Sequence, residues 1–252
     1  MSRVRALTLT ELRLFLREPV TVLFTLALPL MVLYVLNGVF GQEQSGGDQG
    51  EFVVYRGFDA PDWYTPAYVA MAVAGFALIA LPAHFVEYHE SGVLRRFQAS
   101  GLPKGTVLLS QALVAMVVAT AGCGLLVAAA LAFTGASPPE GLVLLIAAYL
   151  LAAIALIAVG LLLGVLLPTA RAAQSVGLLA WFVSLFVSGG GPPPEVLPEG
   201  LRTVGDWWPV TPVIRTLQEP WLTGEWATRD SLVTLGITVI ATAVAWRAYR
   251  WD

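Results

Sequence analysis

Residues 141–166 read GLVLLIAAYLLAAIALIAVGLLLGVL, 26 positions without a charged side chain. Wound as a helix at ~1.5 Å per residue, the run extends about 39 Å, more than the roughly 30 Å of a bilayer's hydrocarbon. Working outward from it, further uncharged stretches predict spans over residues 20–40, 65–86, 106–133, 172–189 and 231–247. The last is the shortest: only 231–246 are uncharged, and 16 residues cover about 24 Å. Arg247 can snorkel there, and Trp246, Tyr249 and Trp251 can anchor the interface.

The charges between the runs alternate. With the N-terminus inside, the inner segments hold Arg3, Arg5, Arg13, Arg17, Arg95, Arg96, Lys104, Arg171, Arg247 and Arg250, 10 of the 14 basic residues. Of the 17 acids only Glu11, Glu18, Glu87, Glu90 and Asp252 fall inside, and 12 fall outside. Basic residues are retained on the cytoplasmic side during insertion, so six transmembrane helices with both termini cytoplasmic are expected. The fold class is an all-α polytopic membrane protein.

Composition agrees with that class. The chain is 57% apolar and 12% charged, with a mean hydropathy of +0.75. Six spans of about 20 residues together with their connections account for the 252 positions, so one integral membrane domain over 1–252 is expected, without a separate soluble catalytic domain. The acidic excess lies in the outer segments and offers no basic surface to nucleic acid. The first apolar run, uncharged from Pro19 to Gln42, is far longer than the roughly 7–15-residue core of a signal peptide and reads as an uncleaved anchor. Cys123 is the only cysteine and sits in an apolar run, where it reads as a small packed side chain.

The N-terminal segment 1–18 reads as an amphipathic interfacial helix, with Leu9, Leu12, Phe15 and Leu16 on its apolar stripe and Pro19 ending it. The 41–64 connection, beginning GQEQSGGDQGE, is polar and solvated. Two other connections carry helical patterns. In EYHESGVLRRFQASGLPKG, 87–105, Ser91 marks a start, Gly101 and Pro103 a stop, and Val93, Leu94 and Phe97 share a face, which predicts a short helix parallel to the membrane over 90–101. In the outer segment 190–230, Thr211 and Pro212 form a start signal, and Val213, Leu217 and Trp221 fall at helical spacing. Arg215 and Glu219 form an i,i+4 pair, and Gly224 supplies a stop. A 40-residue structureless loop is uncommon, so one or two short helices dipping into the outer leaflet are expected.

These motifs resemble a permease subunit of a type-2 ABC exporter, the family that includes bacterial drug, polysaccharide and lipid exporters. The resemblance runs over nearly the whole chain. It is carried by Glu11, Arg17, Pro19 and Pro29 near the N-terminus, by Glu87, Glu90, Gly92, Leu94 and Pro103 after the second span, and by Leu197, Pro198, Pro209 and Pro212 before the last. Tyr88 departs from it, since many members carry a basic residue at that step. The resemblance implies a bacterial plasma membrane protein that pairs with a second permease copy or a paralogue. It also implies that the helix between spans two and three seats on a separate ABC ATPase subunit, giving Glu87, Glu90, Gly92, Val93, Leu94 and Phe97 a coupling role. There Gly92 would permit close approach and Val93, Leu94 and Phe97 supply an apolar face. Pro212, Arg215, Leu217 and Trp221 are then candidates for an outer gate, with Arg215 facing its aqueous mouth.

The ATPase must be a partner. No G-x-x-x-x-G-K-[ST] phosphate loop occurs, and GLPKGT near 101 lacks the spacing, so ATP and Mg would be bound by the other subunit and no cofactor is expected in this chain. Glu87 and Glu90 read equally as solvated acids at a helix end. His84, Glu87 and His89 match no common zinc spacing, and His84 reads as a packing residue. Ser188 lies near the opposite side of the bilayer from both histidines, which excludes a Ser–His hydrolase pair. None of the spans has a charge near its centre, which excludes ion coupling through mid-membrane groups. A membrane scaffold or pore not coupled to ATP is the alternative.

Overall fold

The computed structural model describes residues 3–17, 31, 34, 35, 38 and 54–249. The expected first span, 20–40, lies outside the described residues apart from four isolated positions, as does most of the 41–64 connection. Among the described residues every regular element is helical.

Helix α1 (Arg3–Leu16) precedes a short turn at Val54–Gly57. Helices α2 (Ala60–Gly75) and α3 (Leu81–Glu90) are joined by a π-helical turn, Phe76–Ala80, into one continuous element. Then follow α4 (Val93–Ala99), α5 (Lys104–Phe133), α6 (Leu142–Leu166) and α7 (Ala170–Val187). The outer segment folds into α8 (Glu199–Trp207) and α9 (Val210–Leu222), and α10 (Thr228–Ala248) closes the described chain.

Among the described residues, five helices are long and apolar enough to cross a membrane: Ala60–Glu90, Gly105–Phe133, Leu142–Leu166, Ala170–Val187 and Thr228–Ala248. Two differ usefully from expectation. The element at Ala60 starts before residue 65, because Asp59 and Pro61 give its first turn a fixed entry. The last helix is 21 residues long, since Arg229, Asp230 and Arg247 extend both ends beyond the uncharged run, and about 31 Å suffices to span.

The packing is built on α6, which touches α3, α5, α9, α10 and the π-turn. Its inward face is small, with Ala148, Ala152, Ala153, Ala155 and Gly160 buried. Helices in lipid gain nothing from burying oil against oil, so close approach across small residues supplies the attraction. The π-turn is the tightest such contact. The Leu81 N–H reaches back to the Phe76 carbonyl, and Pro82 has no N–H, so the Ala77 and Leu78 carbonyls lose their ordinary helical donors. Both press on glycines: a Cβ at Gly160 would lie 1.9 Å from the Ala77 oxygen, and one at Gly177 on α7 would lie 1.8 Å from the Leu78 oxygen. Glycine Cα hydrogens therefore point at the two freed carbonyls from either side. One turn earlier, Gly75 leaves room for Trp181, whose Nε1 donates to the Met71 carbonyl at 2.9 Å. Cys123 is buried, with Sγ 3.7 Å from the Val69 carbonyl.

The connections gather at two ends. At one, Asp62 accepts from the Ser137 N–H, the Tyr64 hydroxyl donates to the Gly191 carbonyl (2.8 Å), and Gly141 abuts Gly224. At the other, α1 meets α3, the end of α3 meets the start of α7, and Gly105 meets Trp246.

Candidate functional site

The end that carries α4 is assembled from α3 outward. Helix α3 stops where Ser91 donates its hydroxyl to the Glu87 carbonyl (2.7 Å) and Gly92 turns left-handed at φ +71°. This corrects one expectation: Ser91 closes α3 and does not open the next helix, which starts at Val93. Gly92 is required for its backbone angle, since a Cβ there would meet nothing within 4 Å.

The faces of α4 also differ from expectation. Leu94 is 1% exposed and packs into this chain's own core, with Val93 and Phe97 partly buried beside it. Leu94 thus anchors α4 to the permease, while Val93 and Phe97 keep part of their surface exposed. Arg95, Arg96 and Gln98 are exposed, and with the exposed Glu87 and Glu90 they form the accessible surface of this end. Glu90 has a structural contact as well, accepting from the Ala170 N–H (3.4 Å) at the first turn of α7, where an anion suits the helix dipole.

Behind α4 lies a contact that residue patterns had split into unrelated parts. Glu11 of α1 is 5% exposed and accepts a hydrogen bond from the Tyr88 phenol at 2.6 Å. His84 brings Nε2 to 3.8 Å from the same carboxylate, and its ring lies 4.5 Å from that of Tyr88. His84 is half exposed and faces Glu11, so it is a polar neighbour of α1 and not a packed core histidine. Tyr88 supplies the donor that the buried Glu11 carboxylate needs. On α1, Leu7 packs on the core, one turn before Glu11, while Leu9 of the apolar stripe is exposed. The i,i+4 spacing of Leu7 and Glu11 was the available signal. The side chains of Phe15 and Leu16 lie outside the described residues, as do Pro19 and Pro29, while Arg17 is exposed.

At the opposite end, α9 is driven between α2, α6 and α10. Val213, Leu217 and Trp221 are buried as one face, and Pro212 is buried in the first turn. The helix begins at Val210, so Thr211 is not its cap. The Thr211 hydroxyl donates to the Gly205 carbonyl of α8 (2.6 Å) and lies 3.0 Å from the Ser188 hydroxyl. The last carbonyls of α9, on Pro220 and Trp221, accept from the Gly141 and Glu140 N–H groups.

The expected Arg215–Glu219 pair within α9 does not form. Arg215 donates to Asp206 of α8 (2.7 Å), and Glu219 pairs with Arg56. Two partly exposed ion pairs to two different elements thus tie the polar edge of α9. Arg56 and Tyr55 both hold left-handed backbone angles, φ 55° and 59°. Such angles persist in non-glycine residues only when neighbours over-determine them. Here Tyr55 is buried against Trp63 and Tyr64, and Arg56 is held by Glu219.

The remaining sequence motifs stay apart. Ser188 and Ser184 sit beside Thr211 and Trp208 at the α9 end, whereas His84 and His89 lie at the α4 end. Among the described residues no three metal-ligating side chains converge.

Comparison with known proteins returns no match among curated proteins. A family model described as ABC-2 type transporter matches residues 2–220, which takes in α1, the π-turn element, α4 and most of α9. With its apolar helices, this makes the chain a multi-pass membrane protein and a permease component, without the ATPase itself, of an ABC transporter: it belongs to the ABC-2 type transporter family.

Proposed function

We propose that the chain is one permease half of an ATP-driven exporter in a bacterial plasma membrane, with six spans, cytoplasmic termini and a dimeric assembly. A separate ABC ATPase docks on the α3–α4 end, where ATP and Mg are held by that partner. The exposed cluster of Glu87, Glu90, Arg95, Arg96 and Gln98 is the observation that carries this reading, because it combines both charges on an element firmly seated in the permease. Within the expected coupling set, Glu87 and Glu90 supply docking charge, Gly92 supplies the turn, and Val93, Leu94 and Phe97 hold α4 against the bundle. A push on α4 is passed through Leu94 to the core and through Tyr88 and Glu11 to α1.

The outer end answers by releasing α9. Pro212, Leu217 and Trp221 form its wedge, and the Arg215–Asp206 and Arg56–Glu219 pairs are the contacts that must break for it to move. Partly exposed pairs of this kind contribute about 0–1 kcal/mol each, small enough to be opened by a nucleotide-driven step. The apolar walls suit hydrophobic or amphipathic substrates such as drugs, lipids or lipid-linked glycans.

The test is co-purification with the partner ATPase. Arg95→Glu with Arg96→Glu should abolish recovery of the ATPase while leaving the melting of the permease unchanged. Unaltered recovery would reject α4 as the docking element and favour a scaffold or pore without ATP coupling.

A further inference from the structure

Between α5, α6 and α10, at the end of the bundle that carries α4, lies a cavity of about 470 Å³. It exists because Ala112, Ala158 and Ala245 face one another across the three helices, and none fills the space between them. Among the described residues on its lining, Thr242 alone carries a hydroxyl. Leu109 and Ile154 at its rim are half exposed, so it opens sideways, toward the hydrocarbon of a surrounding bilayer. Its end toward α4 is shut by Trp246, whose ring would lie 3.0 Å from a Cβ at Gly105. A second apolar groove, on the outer face of α10, shares Thr242 and Trp246 with it and is bounded by the exposed Arg247.

The chemistry of this space selects its occupant. Left empty, its lining forfeits dispersion contacts. Water would find one hydroxyl where it needs two to four partners. A peptide segment would bring backbone N–H and C=O groups that the lining cannot satisfy. A saturated chain has no polar group to satisfy, and the volume falls within the roughly 300–1,000 Å³ of ligand-holding pockets. Trp246 bounds both spaces, and Arg247, next to it in sequence, lines the adjoining groove on the outer face of α10, within reach of a headgroup that leaves the cavity past the indole. Tryptophan favours the headgroup level, and arginine's planar donors match a phosphate.

We infer that this cavity is a lipid-binding site that takes an acyl chain of one anionic phospholipid, with the phosphate held by Arg247. The leaflet is the cytoplasmic one under the orientation proposed above; the site itself rests on the cavity and does not depend on ATPase docking.

The test uses the full-length chain, reconstituted in vesicles of equal phosphatidylglycerol, phosphatidylethanolamine and phosphatidylcholine, then released in mild detergent for native mass spectrometry. One phosphatidylglycerol per chain should survive on the wild type. Ala112→Phe and Ala158→Phe, which fill the cavity, should each remove it. Arg247→Gln should lower the preference for phosphatidylglycerol over phosphatidylcholine by about tenfold, the scale of one charged hydrogen bond, and Arg247→Lys should restore part of it. Should either phenylalanine variant misfold, phosphatidylglycerol brominated along its acyl chains should quench the fluorescence difference between wild type and Trp246→Phe. Equal lipid retention by wild type and filled variants, an unchanged preference in Arg247→Gln, or absence of that quenching would overturn the site. So would efficient disulfide cross-linking between copies carrying Leu109→Cys on a Cys123→Ala background, which would make the groove an interface between two chains.

Discussion

Replacing Gly160 or Gly177 by alanine should cost far more stability than any other glycine-to-alanine change in a membrane-spanning helix of this protein. The new methyl at 160 would sit 1.9 Å from the Ala77 oxygen and that at 177 would sit 1.8 Å from the Leu78 oxygen, where real contacts do not fall below 3.0 Å. The backbones must therefore part by more than 1 Å, and no flexible side chain is present to absorb the change. Overpacking of this sort costs about 1–3 kcal/mol, and a backbone obstacle puts each site near the top of that range. At roughly 2–4 °C per kcal/mol for chains of this size, each variant should melt about 5–10 °C below wild type in detergent. Gly124→Ala and Gly236→Ala are the controls, since a Cβ at either position meets nothing within 4 Å. Alanine's better helix propensity should leave them unchanged or slightly more stable. The double variant should lose less than the sum, because a displacement of the π-turn that relieves one contact already disturbs the other. If Gly160→Ala melts with Gly124→Ala, the helices are not in contact through the freed carbonyls and the account of the π-turn is wrong.

Tyr88→Phe removes the donor to a buried carboxylate and should cost about 1–3 kcal/mol in melting experiments, whereas Glu11→Gln, which can still accept from Tyr88, should cost less; equal losses would show that the pair is not hydrogen-bonded. On a Cys123→Ala background, single cysteines at Ser45, Ser137 and Thr223 should react with a membrane-impermeant thiol reagent on intact cells, and those at Ser91 and Thr169 should not; labelling at Ser91 would refute the proposed orientation. Asp206→Asn and Arg56→Gln, each of which breaks one tie on α9, should alter export in reconstituted vesicles while basal ATP hydrolysis by the assembled transporter persists; unchanged export in both would remove α9 from the gate. Leu217→Lys is a stability probe and not a gating probe, since Leu217 is fully buried, and it should prevent α9 from packing at all.

The sequence by itself determined the class, the order of the apolar segments and the places where the chain turns. A stretch such as 141–166 has one stable environment, because each uncompensated charge in hydrocarbon is costly and each helix satisfies its own backbone. Gly101 and Gly224 were visible as stops because their left-handed angles are a property of local backbone sterics. The sides of the helices were another matter. In lipid the protein-facing and lipid-facing surfaces are both apolar, so no periodicity separated Leu94, which is core, from a surface awaiting a partner. Pro82 announced a missing donor, but only the fold brings Gly160 and Gly177, far along the chain, against the carbonyls it frees. The charges Arg215 and Glu219, paired by helical spacing, were claimed by Asp206 and Arg56 instead, because salt bridges follow proximity in space and α9 is wedged where those partners lie. Glu11 and Tyr88 lie 77 positions apart, and only the return of the chain to the same end of the bundle makes them one contact.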